Sequence, residues 1–193
     1  MGVRLGGTDG NEVLTNAAAL VLTALLLAEG VTVIRMRGLV GVHMFVGLAL
    51  IPPVAVKLGS TGYRFARYYT GSRAYVAKGP PPLALRLLAP VLVVTTLGIF
   101  ATGVLLLAAG HKAGALLEIH KVCFIVWAVV FALHFLGHLA AMLRSMRRDW
   151  TAERRRAVPG TGWRAALLLA ALGGGVALCV ALQSTVHAWH PGG

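Results

Sequence analysis

Residues Leu116 to Leu143 read LLEIHKVCFIVWAVVFALHFLGHLAAML. A run this long and this apolar can cross about 30 Å of hydrocarbon as a helix. It also carries His120, His134 and His138. Ionisable side chains at membrane depth are costly and mark candidate sites. At about 100° and 1.5 Å per residue, the 14-residue step from His120 to His134 keeps both rings on one helix face, roughly 21 Å apart. With His120 at zero, His134 falls at about −40° and His138 near 0°, while Trp127 and Phe131 lie within about 20° of the same line.

The rest of the chain agrees with a membrane reading. Of 193 residues, 58% are hydrophobic, and the mean hydropathy is +0.78. A soluble domain of this size is rarely so apolar. The formal net charge of +12 would suggest nucleic acid in a soluble protein. Here the basic residues fall mainly between apolar spans, as cytoplasmic loops do, so no nucleic-acid partner is expected. Cys123 and Cys179 both lie inside apolar runs, without a CxxC motif, and read as reduced core residues. The opening MGVRLGGTDGNE has no basic region leading into a short apolar core, so no cleavable signal peptide is expected.

Five apolar segments are long enough to span: 13–34, 39–58, 85–109, 116–143 and 163–183. The predicted fold is an all-α polytopic transmembrane bundle, one domain over 1–193. Arg35-Met36-Arg37-Gly38 separates the first two spans, which predicts a tight helical hairpin. Six basic residues and no acid occupy 57–86 (Lys57, Arg64, Arg67, Arg73, Lys78, Arg86). Seven occupy 144–164, against Asp149 and Glu153. By the positive-inside rule both stretches face the cytoplasm, which puts the N-terminus inside and the C-terminal tail outside. Pro52-Pro53 predicts a kink in the second span. Pro80-Pro81-Pro82 stops any helix before the third. Gly98, Gly103 and Gly173-Gly174-Gly175 predict close approach of helices or a cofactor.

Seven histidines are present. His187 and His190 belong to the tail HAWHPGG, and His111 to the short loop GHKAG. The other four are intramembrane. His43 lies four residues into the second span, with Gly47 one turn further on the same face. Its depth matches His120 to within about 6 Å, so the pair can ligate one iron near the outer face. An inner site would use His134 or His138, for which no opposite histidine exists. These two also form an HxxxH pair able to hold zinc or copper. No acid on the inner half of a span would serve it as a base. Histidines that simply hydrogen-bond between helices are the structural alternative. Glu29 and Glu118 sit near outer helix ends, where they could steer protons or quinol. The segment STGYRFARYYTGSRAYVAKGPPP, rich in Tyr and Arg, reads as an interfacial belt or a docking surface.

HKVCFIVWAVVFALHFLGHL, together with a histidine near the start of an earlier span, resembles the bacterial membrane cytochrome b superfamily. That group includes the b-type subunits of hydrogenases and formate dehydrogenases. The resemblance covers about half of the chain, His43 to His138. It implies haem b (one group or two) in a helical bundle of the bacterial plasma membrane, passing electrons between quinone and a redox partner at the basic cytoplasmic loops. Carried over by position, His120 and His134 are the ligands on the double-histidine helix and His43 the ligand on the second. His138 is an alternate to His134. The chain departs from the pattern in having no histidine on its first span. IPPVAVKLGSTGYRFARYYTG also resembles small actinobacterial membrane proteins of unassigned activity. Two further readings stay open: an accessory helical subunit without activity, and a metal-handling protein using His134 and His138.

Overall fold

The computed structural model describes residues 6–80, 82–110, 114–149, 151 and 157–188, with side chains at 145, 146, 148 and 149 excepted. Their structured elements are all helical: α1 (Gly7–Ile34), α2 (Met36–Tyr69), α3 (Arg73–Ala77), α4 (Leu83–Ala109), α5 (Gly114–Asp149), α6 (Thr161–Ala181) and α7 (Gln183–Ala188). Five of them, α1, α2, α4, α5 and α6, are long and apolar enough to cross a membrane. The chain is a multi-pass membrane protein. Large apolar side chains stand exposed along every span, including Leu27, Val94, Ile125, Leu136 and Leu169. Water would not tolerate so extended an apolar surface, whereas lipid solvates it.

Consecutive spans pack as antiparallel hairpins. α1 lies on α2, α4 lies on α5, and α6 closes against α2. Only Arg35 interrupts the first hairpin, and Leu39 (φ −125°, ψ 17°) is the non-helical residue inside α2. Helical φ/ψ continues through Pro52-Pro53, where the sequence predicts a kink. The reason lies in α6: Gly174 passes the Pro52 ring, and Gly175 lies so close to Ala49 that an added Cβ would meet its carbonyl oxygen at 2.6 Å. Two small residues thus let α6 brace α2 where the prolines remove amide donors. Nearby, Leu48, Leu107, Cys179 and Val186 form a buried cluster joining α2, α4, α6 and α7. The two hairpins meet more thinly: α2 and α5 make little direct backbone contact.

Both long helices outrun the bilayer. At 1.5 Å per residue, the 36 residues of α5 extend about 54 Å. The tyrosine-rich segment is mostly helical, continuing α2 to Tyr69 and then forming α3. There Tyr63 meets Tyr75, and the Arg86 guanidinium hydrogen-bonds the Tyr69 hydroxyl while lying over its ring. Lys78 bridges back to Asp9 and Glu12 at the start of α1. Burial alone would lower the Lys78 pKa, but the hydrogen bonds and charges of Asp9 and Glu12 outweigh it and raise it. The bridge is partly exposed, so it contributes at most about 1 kcal/mol. On the lysine side that contribution holds below the ordinary value of 10.5 and fades only above the raised one.

The α2–α6 contact yields a paired prediction. Gly175→Val forces the two backbones apart and costs about 1–3 kcal/mol. Gly173→Ala meets nothing within 4 Å, so it is neutral or mildly stabilising. Thermal unfolding in detergent distinguishes the two; equal midpoints would show that α6 does not brace α2.

Candidate functional site

The sharpest polar cluster lies between the hairpins at one end of the bundle. His43 comes from the start of α2, and His120 from the start of α5. Glu29 and Thr32 come from the end of α1, and Thr102 from α4. Antiparallel pairing puts all five at one level. The His43 and His120 ring centroids are 6.4 Å apart, with planes at 79°. Glu29 and His43 are only partly exposed, at 15% and 22% of the side chain.

Each ring is held through the same nitrogen. The Glu29 carboxylate accepts from His43 Nδ1 at 2.8 Å, and Thr32 Oγ1, 2.6 Å from the Glu29 backbone carbonyl to which it donates, also lies 3.1 Å from the other carboxylate oxygen. Thr102 Oγ1 donates to the Gly98 carbonyl at 2.7 Å, which leaves its lone pair to accept from His120 Nδ1 at 2.8 Å. Both partners favour the Nδ1–H tautomer, which would put the ring lone pair on Nε2. A carboxylate or hydroxyl behind the distal ring nitrogen is the arrangement that orients an imidazole as a metal ligand.

The distance also fits a shared metal. With about 2 Å from metal to imidazole nitrogen, and roughly 1 Å more to the ring centre, two trans imidazoles have centroids about 6 Å apart. Among the described residues, no group of three or more His, Cys, Asp or Glu side chains is placed to hold a metal ion. Haem iron brings its equatorial nitrogens with it and needs only axial ligands from the protein. His43 and His120 are the two imidazoles that would hold such a group.

The glycines divide between helix packing and the site. An added Cβ at Gly103 would touch His120 Cε1 at 3.5 Å, and one at Gly98 would touch Cys123 Sγ at 3.4 Å. Gly47 opens space beside His43, but the Glu29 carboxylate fills it, with Oε1 3.6 Å from an added Cβ. On α5, Trp127 stacks on Phe131 at 4.7 Å and donates from Nε1 to Thr96 Oγ1. The aromatic line therefore anchors α5 to α4. Cys179 and Cys123 are free thiols.

His134 and His138 lie deeper on α5, with ring centroids 4.7 Å apart. The pair is brought together, but His134 Nδ1 is buried with no hydrogen-bond partner among the described residues. His187 is exposed on α7. His111 and His190 lie outside the described residues. Glu118 pairs with Lys121 on the exposed face of α5. Thr32 and Thr102 carry no sequence signal of their own. Antiparallel counting across the second turn comes within a residue of placing Thr102 opposite His120, whereas counting from Arg35 puts residue 27, not Thr32, opposite His43.

No protein-family model, curated protein or solved structure matches the chain.

The Glu29–His43 contact is testable without any cofactor. A double-mutant cycle with Glu29→Ala and His43→Ala should give a coupling of about 0.5–2 kcal/mol. Additive losses in detergent unfolding would mean that the two side chains do not meet.

Proposed function

We propose that this chain is a haem-b protein of the bacterial plasma membrane that carries electrons within the bilayer, with His43 and His120 as axial ligands of a haem near the outer face. The observation that carries this reading is the matched pair of imidazoles. They come from separate helices, their centroids are 6.4 Å apart, and Glu29 and Thr102 each lock one as the Nδ1–H tautomer.

When bound, the haem supplies one-electron redox chemistry. The protein's own groups do the rest. Glu29 and Thr102 fix the ring orientations, and the apolar walls of α2 and α5 keep water from the metal. The charge of the basic stretches supports an N-terminus inside and a C-terminal tail outside. In that orientation the Tyr- and Arg-rich end, around Tyr69, Arg86 and α3, is the cytoplasmic docking surface for a redox partner. Quinone is the membrane-soluble exchange partner this reading favours.

The purified protein should show the sharp reduced-minus-oxidised α band of low-spin b haem. His43→Ala and His120→Ala should each lower haem content by at least about tenfold, since either leaves the iron one axial ligand short. His187→Ala, on exposed α7, should leave it unchanged. A colourless preparation expressed with ample haem defeats the proposal and leaves the cluster as polar packing between helices.

A further inference from the structure

His134 and His138 take no part in the pair at the other end of α5. They stand one turn apart, with ring centroids 4.7 Å apart and planes at 55°. That spacing is shorter than the 6.4 Å between His43 and His120. Two imidazoles on neighbouring corners of a tetrahedron, about 3 Å from metal to ring centre, have centroids about 5 Å apart. The α5 pair therefore has the spacing of a chelate, two ligands on one side of a single ion. His134 Nδ1 is also buried without a hydrogen-bond partner among the described residues. Leaving a buried ring nitrogen unbonded is costly, and a coordinated ion would satisfy it.

A third donor follows at the same interval. Met142 is four residues beyond His138 and half-buried on the same helix. Each step of four advances about 6 Å and turns about 40°, so His134, His138 and Met142 form one stripe. Long helical side chains lean toward the helix N-terminus, the direction in which His138 lies from Met142. On the flank, the tip of buried Leu85 from α4 reaches Gly137, where an added Cβ would meet it at 2.8 Å. An apolar wall thus stands beside the pair.

Donor type and charge together choose the ion. Imidazole suits copper and zinc alike, but a thioether beside it favours Cu(I). The charges acting on the rings are positive, Lys57 on both and Arg64 on His138. Arg144 and Arg147 follow on α5. Coulomb repulsion grows in proportion to the charge of the ion, so a divalent cation meets twice the repulsion of a monovalent one.

We infer that His134, His138 and Met142 form a Cu(I) site on α5, with the two imidazoles as the chelate and the thioether as the third ligand. The site lies about 21 Å along the helix from His120 and does not depend on the haem reading.

The test is anaerobic titration of the full-length protein in detergent with Cu(I) against a competing chelator, followed by X-ray absorption at the copper edge. Wild type should bind one Cu(I) per chain, bonded to nitrogen and to one sulfur. His134→Ala and His138→Leu should each weaken binding by more than the about tenfold that loss of an outer hydrogen-bond partner costs. His138→Met, close to leucine in size, should retain the ion and show a second sulfur, which separates ligation from packing. Met142→Leu should remove the sulfur signal, and His187→Ala should change nothing. Zinc should bind at least about tenfold more weakly than Cu(I). Wild-type affinity in His138→Leu would overturn the inference, as would a wild-type copper spectrum without sulfur or a preference for zinc.

Discussion

Glu29 and His43 meet at 2.8 Å on two apolar helices, where each is only partly exposed. In hydrocarbon, a carboxylate and an imidazole must find partners within the protein, and each is the other's. That demand fixes more than two side chains. It sets the register of the α1–α2 hairpin across a turn in which only Arg35 breaks the helix. It leaves the His43 ring with Nδ1 committed and Nε2 free. Thr102 does the same for His120 in the second hairpin, using a hydroxyl in place of a carboxylate. The two rings are therefore held unequally, one by a carboxylate and one by a hydroxyl.

The bundle around this pair is strong within each hairpin and weak between them. α6 braces α2 through Gly175 and Ala49, and Trp127 ties α5 to α4. Between α2 and α5 the backbones stay apart while their histidine rings approach. The tight contacts thus lie within each hairpin and between α2 and α6, while α2 and α5 approach each other at the His43 and His120 rings.

The spans, their number and the hairpin at Arg35 were legible in the sequence because length and hydropathy are local properties. The His43–His120 level was legible too, since helical rise converts residue number into depth. Glu29 was visible as an intramembrane acid but had no assigned partner, because pairing across a hairpin depends on rotation about two axes at once. The continued helix at Pro52-Pro53 was hidden for a related reason. Its support comes from Gly174 and Gly175, more than a hundred residues further along the chain. Helix through the tyrosine-rich segment was masked by its interfacial composition, which describes the environment of a stretch rather than its backbone.

Lys57 shows the same limit from the other side. Read within its own loop, it is one more basic residue at the end of a span, a snorkelling cation by default. Read along α2, it repeats at 14 residues the position of His43, and its amine is bonded to Thr15 rather than extended to the interface. The Lys57 amine is therefore held within the α1–α2 hairpin by the same rule that pairs Glu29 with His43. A polar group held inside hydrocarbon is oriented by what it must bond. On α2 and α5 those orientations bring the His43 and His120 rings together at one level of the seam.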